Sequence, residues 1–392
     1  MDITFNTAHG KFGLDIPNYN ITLIELCKFN NLPFQSICFY KKNNKNELEI
    51  IKDVYTHTIN DLKDNNIVEI ILQPNRNINF SKILNKDILI QNINENFSSE
   101  YTFQSSNFQE IVNVEFNPDE CFRYIYKCTN DFFNSIDIDD RKIVIGISGG
   151  GDSNTLLKAL INCDKIDKNQ IIAVMCTGLN VWDSAKERAK YICNEAGVEL
   201  KFVESREICD IIGKRRSENW DEAFFEVFED SDIDALGTLI VRKVLQHYVE
   251  KHNAQAMVTG LNLEDLLAES FFQITKKKLP LPFPIRTIDN IPLWFPLFEV
   301  PKKILDGCYP KFSLENYEQR NADKLINRAV PYYFSQMTSS ILPGYEFDLL
   351  NGFKELSKLN TSPFHYDEKL GFEVTEPVSE ELIGKWKYFT IC

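Results

Sequence analysis

Three consecutive glycines flanked by serines and an aspartate are the residues of this 392-residue chain best suited to phosphate chemistry. The run is Ser-Gly-Gly-Gly-Asp-Ser, residues 148–153. Glycine has no Cβ, so backbone N–H groups in such a run can come close to phosphate oxygens. The hydroxyls of Ser148 and Ser153 can donate hydrogen bonds, and the carboxylate of Asp152 can hold a Mg²⁺ that bridges phosphates. The run therefore predicts a site for the phosphates of a nucleotide.

The segments on either side of this loop would orient its backbone N–H groups toward a bound anion. KIVIGI, residues 142–147, is an apolar, β-branched run typical of a buried parallel strand. NTLLKALI, residues 154–161, continues as an amphipathic helix. The N-terminus of that helix would add N–H donors and roughly half a positive charge at the loop. The loop lacks the Gly-Lys-Ser/Thr ending of a Walker loop and the spaced GxGxxG of a dinucleotide site.

The glycine run instead resembles the SGGxDS signature of the PP-loop ATP pyrophosphatases. The resemblance implies an α/β fold with a parallel, HUP-like sheet, and cleavage of ATP to AMP and pyrophosphate. NQIIAVMCTGLN predicts a second buried strand ending near Met175, where the family reads adenine with backbone groups. The ATP-binding residues that the resemblance implies are Ile147, Ser148, Gly149, Gly150, Gly151, Asp152, Ser153, Met175 and Gly260.

A second segment, AQAMVTGLNLEDLLAESFFQI, resembles the family's strand that ends in Gly-His-Asn/His-x-Asp-Asp and opens a helix. Gly260, Asn262 and Asp265 match that pattern, whereas Leu261 replaces the histidine and Glu264 replaces the first aspartate. The resemblance implies that Gly260 packs against the nucleotide. It also implies that Asp265, with Glu264 as a possible partner, faces the pyrophosphate.

The resemblance implies three catalytic residues and two metal ligands. Asp152 and Asp265 would hold Mg²⁺. Arg242, in the pair Arg242-Lys243, would neutralise the α-phosphate. A helix-surface charge is the structural alternative for Arg242. The catalytic set is thus Asp152, Arg242 and Asp265.

The closing segment, residues 326–353, resembles that of the tRNA 2-thiocytidine, tRNA 2-thiouridine and tRNA-lysidine synthetases, so the resemblance covers about residues 116–355. It implies a transferase or ligase that adenylates a substrate carbonyl oxygen, after which sulfur displaces AMP. Thiolation of a tRNA base is the first hypothesis. The alternatives are thioamide formation on a small molecule or carrier-bound acyl chain and lysidine-like amine ligation. A hypothesis of another class is a noncatalytic nucleotide-binding regulator.

The cysteines bear on cofactors and on the source of sulfur. The thiolating branch of the family often holds an iron–sulfur cluster on three cysteines, two of them as CxxC just before the basic pair. Here that stretch reads DALGTLIVRK, and none of the ten cysteines forms a CxxC pair. We therefore expect ATP and Mg²⁺ as cofactors, without an iron–sulfur cluster. Cys308, in DGCYPKF, is a candidate sulfur carrier, with a structural thiol or a separate sulfur-donor protein as alternatives.

Composition limits the partners and the location. A formal net charge of −14 disfavours nonspecific binding to nucleic acid. The triplet Lys276, Lys277 and Lys278 is a local exception, suited to an anionic ligand or to a solvated loop. No apolar run reaches the roughly 18 residues of a membrane span, and the N-terminus does not read as a signal peptide. We expect a cytoplasmic protein.

Hydrophobic patterning divides the chain into four parts. Residues 1–75 show the order strand, strand, helix, strand, strand, strand, which resembles the β-grasp fold of ubiquitin-like proteins. This part runs into Gln73-Pro74 rather than ending in Gly-Gly, so a docking or substrate-recognition role is favoured over a sulfur carrier. Residues 76–115 are predicted as a linker, 116–345 as the PP-loop domain and 346–392 as a C-terminal extension.

Overall fold

A computed structural model describes two compact units in the chain. Unit 1 comprises residues 1–121 and 302–349, and unit 2 comprises residues 122–301 and 350–392. The described residues are 2–7, 10–30, 32, 34, 37–45, 47–51, 54–63, 66–74, 99–104, 111–177, 185–215, 220–228, 230–308, 330–332, 334–335, 338 and 344–391.

Unit 1 contains a five-stranded sheet with one helix. Its elements are β1 (Asp2–Thr7), β2 (Gly10–Gly13), α1 (Leu23–Phe29), β3 (Ile37–Asn43), β4 (Leu48–Ile50) and β5 (Ile67–Pro74). The strand order is β2-β1-β5-β3-β4, with β1 parallel to β5 and the other pairs antiparallel. Helix α1 begins with a capping box between Thr22 and Glu25 and buries Leu23 and Leu26 in the core. The order of elements is the predicted one, while the β-grasp assignment stays a prediction.

The stretch 76–115, predicted as an irregular linker, contains a regular element. Strands β6 (Ser99–Gln104) and β7 (Ile111–Phe116) pair antiparallel from Ser99↔Phe116 to Gln104↔Ile111. Both carry β-branched or aromatic residues, which favour a strand. The asparagine-rich residues 75–98 lie outside the described residues.

Unit 2 is built on a six-stranded, mostly parallel sheet. Along the chain its elements are α2 (Pro118–Asn134), which begins at the boundary with unit 1, then β8 (Ile143–Gly146), α3 (Gly151–Ile161), β9 (Ile171–Cys176), α4 (Lys186–Ala196), β10 (Leu200–Val203), α5 (Ser205–Ile212), α6 (Trp220–Val227), α7 (Asp230–His252), β11 (Ala256–Val258), α8 (Leu263–Thr275), β12 (Ile285–Ile288) and β13 (Ile291–Trp294). The strand order is β10-β9-β8-β11-β13-β12. Every neighbouring pair is parallel except β12 with β13. All six residues of β9 are buried, as expected for a parallel strand covered on both faces.

The strand order creates a switch point between β8 and β11. From β8 the chain adds β9 and β10 on one side of the sheet and then returns to add β11 on the other side. In open parallel sheets the loops at such a point leave a crevice outside the carboxyl ends of the strands. The glycine loop follows β8, and the second predicted motif follows β11.

The chain after β13 contributes to both units. Helix α9 (Lys302–Cys308) lies in unit 1 and contacts β6. It is followed by α10 (Tyr345–Ser357), β14 (His365–Asp367), β15 (Phe372–Val374) and α11 (Glu380–Ile391). Within the described residues no helix is long and apolar enough to cross a membrane.

The segment 346–392, predicted as an extension, supplies part of the core of unit 2. Phe389 of α11 packs edge-on against Phe224 of α6, with ring centroids 5.4 Å apart. Trp386 lies 6.3 Å from the ring of Phe228. Phe389 and Trp386 are buried. Chain order alone does not reveal this packing, because the aromatic partners lie more than a hundred residues apart in the sequence.

Candidate functional site

The loops after β8 and β11 meet at the carboxyl edge of the sheet. The two strands pair parallel, with Ile145 opposite Val258, so both loops leave the sheet on the same side. Gly260 lies against the start of α3, since an added Cβ at Gly260 would be 3.3 Å from the backbone carbon of Asp152. The two segments that resemble PP-loop motifs therefore come together in the fold.

The backbone of the glycine loop leaves little room for side chains. Gly149 has a φ of 71°, in the left-handed region that favours glycine. An added Cβ there would lie 2.7 Å from the carbonyl oxygen of Ala185 at the start of α4. Gly150 is the N-cap of α3 and makes no side-chain capping hydrogen bond. The first turn of α3 thus offers the backbone N–H groups and the positive dipole end that favour an anion.

Two serine hydroxyls hold the loop together from within. The Ser153 hydroxyl donates to the carbonyl of Gly150 at 3.2 Å and accepts the N–H of Ser148 at 3.3 Å. The Ser148 hydroxyl oxygen accepts the N–H of Gly150 at 3.3 Å. The serines therefore shape the loop, and their predicted hydrogen bonds to phosphate stay a prediction.

Asn262 connects the two motifs. It is the N-cap of α8 and forms a capping box with Asp265, with hydrogen bonds of 3.0 and 3.1 Å. Its side-chain amide also donates to the carboxylate of Asp152 at 3.2 Å. Asn262 is fully buried, so it fixes the orientation of Asp152 and Asp265 at once. The family pattern includes this position, but the sequence did not assign it a role.

Arg188 is a residue near the loop that the sequence did not indicate. Its Nε donates to the carbonyl of Gly149 at 3.2 Å, and its side chain is half-buried. In the sequence it stands within the charged helix AKERAK, where it resembles an ordinary surface residue. The contact depends on α4 beginning beside the loop, which only the tertiary structure decides.

Ile147 and Met175 lie in the sheet beneath the loop. The N–H of Ile147 donates to the carbonyl of Val174 at 2.8 Å. Met175 is fully buried in β9 and pairs with Phe202 of β10. The segment 178–184 that follows β9 lies outside the described residues, so the reading of adenine near Met175 stays a prediction.

The basic pair on α7 contacts the C-terminal hairpin. Arg242 donates to the backbone carbonyl of Glu373, and its guanidinium lies 5.9 Å from the ring centroid of Phe364. Lys243 donates to the carbonyl of Gly371 at 3.2 Å. Burial lowers the pKa of Arg242 to about 10. The structure therefore gives this pair a role in holding β14 and β15, while its role at the α-phosphate stays a prediction.

Cys308 is half-buried at the end of α9, in unit 1, whereas the glycine loop belongs to unit 2. The sulfur-carrier role of Cys308 stays a prediction. Glu264, the second acid in the first turn of α8, is buried.

Comparison with known proteins identifies the fold. Neither a protein-family model nor a curated protein sequence matches the chain. Among solved structures, the U34-tRNA thiolase NcsA from Methanococcus maripaludis is similar over 61% of this chain and 80% of its own, with 17% identity and a TM-score of 0.50. An NH3-dependent NAD synthetase from Campylobacter jejuni gives a TM-score of 0.36 at 16% identity, over 64% of this chain and 100% of its own. An NMN synthetase from Francisella tularensis gives a TM-score of 0.38 at 12% identity, over 64% of this chain and 99% of its own. The chain has a PP-loop fold, near that of the tRNA thiolases, as the glycine run predicted.

The cofactor prediction, ATP and Mg²⁺ without an iron–sulfur cluster, is contradicted on the cluster. NcsA, which shares this fold, is described with its [4Fe-4S] cluster. The prediction rested on the missing CxxC pair before Arg242. The ligands of a cluster are whichever thiolates the tertiary structure brings together, so one local spacing does not decide the question.

The described residues show no set of ligands for such a cluster. Among them, no three histidine, cysteine, aspartate or glutamate side chains are grouped so that they would hold a metal ion. We derive no reaction step through a cluster.

Proposed function

We propose that this protein binds ATP at residues 147–153 and cleaves it to AMP and pyrophosphate in order to adenylate a carbonyl oxygen. The observation that supports this most directly is the hydrogen bond from Asn262 to Asp152, 3.2 Å long. It joins the glycine loop to a motif 110 residues later, in the crevice where parallel sheets bind ligands. A glycine-rich turn without a ligand has no need of this second motif.

The phosphates of ATP would lie against the first turn of α3. Gly150 leaves that turn without a side-chain cap, so phosphate oxygens would accept its N–H groups. Arg188 adds positive charge beside Gly149. These donors would stabilise the negative charge that grows on the departing pyrophosphate.

Asp152 and Asp265 are the proposed Mg²⁺ ligands. Proteins commonly bind Mg²⁺ through one or two carboxylates together with substrate phosphates. Asn262 holds both carboxylates in place, through its amide to Asp152 and its capping box with Asp265. When bound, the ion would neutralise charge on the phosphates.

The proposed reaction has two steps. The substrate's carbonyl oxygen attacks the α-phosphorus, the bond between the α- and β-phosphates breaks, and pyrophosphate leaves. A sulfur nucleophile then adds to the activated carbon, and AMP leaves with the former carbonyl oxygen. Adenylation is needed because it converts a poor leaving group into a good one.

A tRNA base is the first candidate substrate, supported by the structural likeness to a tRNA thiolase. A carrier-bound or small-molecule thioamide precursor is the second, and one observation favours it. Lys276 and Lys278 both form ion pairs with Glu376, at 3.2 and 3.0 Å. Two lysines of the basic triplet thus have an internal partner, and the net charge of −14 disfavours a large polyanion.

The reaction is tested by product analysis with the Asp152→Asn variant. We expect the wild-type protein to form AMP and pyrophosphate from ATP with its substrate present. Asp152→Asn should lower that rate by about a hundredfold or more, because the variant loses a proposed carboxylate ligand of the Mg²⁺ that would neutralise the phosphates. Asp119→Asn is the matched control, since Asp119 is an exposed acid in the first turn of α2. Formation of ADP and orthophosphate, or full activity in Asp152→Asn, would contradict the proposal.

The two substrates are distinguished by mass spectrometry of RNA nucleosides and metabolites from a deletion strain. Loss of one thiolated nucleoside identifies tRNA. Unchanged nucleosides with loss of a thioamide metabolite identify the second candidate.

A further inference from the structure

The peptide group between Gly149 and Gly150 is held at both of its ends. Its carbonyl oxygen accepts a hydrogen bond from Nε of Arg188 at 3.2 Å. Its N–H donates to the Ser148 hydroxyl oxygen at 3.3 Å. The hydrogen bond to Ser148 is long and lies within the loop, whereas the hydrogen bond from Arg188 comes from a separate helix.

The orientation of this peptide decides whether the loop attracts or repels phosphate. In a trans peptide the C=O and the N–H point in opposite directions. A glycine on each side makes rotation of the whole peptide group sterically easy. If it rotated so that the carbonyl oxygen faced a bound phosphate, the oxygen's partial negative charge would repel that phosphate.

The position of Arg188 in its own helix suggests a role outside that helix. Arg188 lies in the first turn of α4, where the helix dipole disfavours a cation. The N-cap of α4, Ala185, makes no side-chain capping hydrogen bond. Glu187, the acid of that turn, pairs with Lys190 at 3.3 Å. The helix dipole therefore does not itself stabilise this guanidinium, whose hydrogen bond to the Gly149 carbonyl lies outside α4.

The glycine loop and the N-terminus of α4 also lie close together at Gly149. The carbonyl oxygen of Ala185 would be 2.7 Å from a Cβ on Gly149, and the Cβ of Ala185 would be 2.8 Å from it. The N-terminus of α4 therefore packs directly against the loop. Arg188 lies one turn after Ala185, so the packing of Ala185 against the loop also positions Arg188 beside the Gly149 carbonyl.

We propose that Arg188 is a positioning residue that turns the Gly149 carbonyl outward, so that the N–H groups of the loop face the phosphates. This inference rests on the proposed function and deepens it. The ligand group that Arg188 serves is the pyrophosphate part of ATP. The adenosine part lies outside its influence.

The test measures the affinity for separate parts of the ligand. Calorimetry with inorganic pyrophosphate and with ATP, and NMR titration with adenosine, are done on the full chain in the presence of magnesium. Arg188→Gln should weaken binding of pyrophosphate and of ATP by about tenfold or more, the effect expected for losing a hydrogen bond made by a charged group. Binding of adenosine should be unchanged, and Arg188→Lys should recover part of the loss because it keeps the charge and a donor.

Arg206→Gln is the matched control. Arg206 is an exposed arginine in the first turn of the neighbouring helix α5, so the change removes the same charge from an equivalent helix position. It should bind all three ligands as the wild-type protein does.

The other outcomes separate this inference from the proposed function. Wild-type affinity for pyrophosphate in Arg188→Gln would overturn the role of Arg188 and leave the proposed function standing. Equal losses for pyrophosphate and adenosine, or no recovery in Arg188→Lys, would make Arg188 a structural residue and overturn the inference. A wild-type protein that binds neither ATP nor pyrophosphate would overturn both.

Discussion

Gly149 is the residue at which the backbone of the loop has the least freedom to accept a side chain. Its φ of 71° lies in the left-handed region, and Ala185 occupies the space that a Cβ would fill. The requirement for glycine here is therefore conformational as well as steric.

The first prediction concerns Gly149→Ala. A left-handed alanine costs roughly 1–2 kcal/mol, and the contact with Ala185 adds to this. We expect a lower melting temperature and binding of ATP weaker by at least about tenfold, measured by thermal unfolding and calorimetry.

Gly352→Ala provides the control for that change. Gly352 lies within α10, and no atom comes within 4 Å of its added Cβ. Alanine in a helix interior should stabilise the protein by about 0.5–1 kcal/mol and leave ATP binding unchanged. Wild-type ATP binding in Gly149→Ala would show that the loop tolerates a different backbone conformation.

Among the elements, α7 connects the central sheet to the C-terminal hairpin. Leu245 of this helix packs against Gly146 at the end of β8, 3.3 Å from where a Cβ would lie. One turn earlier, Arg242 and Lys243 donate to the carbonyls of Glu373 and Gly371. The backbone N–H of Asp289, in the turn between β12 and β13, donates to the side chain of Glu373 at 2.7 Å. The hairpin of β14 and β15 is thus held by α7 and by the turn between β12 and β13.

The second prediction concerns Arg242→Met, which removes the donor to the Glu373 carbonyl. Loss of a hydrogen bond from a charged, mostly buried donor should destabilise unit 2 by about 1–3 kcal/mol in denaturant unfolding. Proteolysis between α10 and β14 should also become faster, because the hairpin loses one of its attachments.

Lys251→Met on the same helix is the control. Lys251 is half-exposed and pairs with Glu207 at 3.6 Å, so the change should cost less than about 1 kcal/mol. If Arg242→Met retains its stability but loses ATP cleavage, the phosphate role implied by the family resemblance would account for Arg242, and its role in holding the hairpin would be contradicted.

Over the whole molecule, the cysteines occupy two different environments. Nine of the ten are described, and all nine are free thiols. Six of these are buried, namely Cys27, Cys121, Cys163, Cys176, Cys193 and Cys209. Cys38, Cys128 and Cys308 are half-buried. Burial raises the pKa of Cys128 to about 12 and also raises the pKa of Cys38.

The third prediction follows from these environments. At pH 8 a thiol with a pKa of about 12 is ionised only to roughly one part in ten thousand, and the thiolate is the reactive form. In the native protein, iodoacetamide should therefore alkylate the buried Cys176 more slowly than the half-buried Cys308. Mass spectrometry at increasing times measures this, with urea-unfolded protein as the control in which both react. Equally fast labelling of Cys176 in the native state would show that unit 2 opens readily.

Features that depend on neighbouring residues were predictable from the sequence. The strand, glycine loop and helix at 142–161 follow from an apolar run, a lack of side chains and a helical pattern, all within twenty residues. The capping box between Asn262 and Asp265 is equally local, although the sequence pattern gave Asn262 no role. For this reason the PP-loop fold was predicted correctly.

Contacts between distant segments were not predictable in the same way. The sequence alone was enough to predict the chemistry of the loop, because the groups proposed to bind phosphate are local backbone amides and the side chains beside them. Only the tertiary structure determined that Arg188 holds the loop's carbonyl, that Asn262 joins Asp152 to Asp265, and that Arg242 turns to the hairpin. Each of these contacts joins residues that are tens to more than a hundred positions apart, and their meeting depends on strand order and helix packing. A sequence pattern records neither.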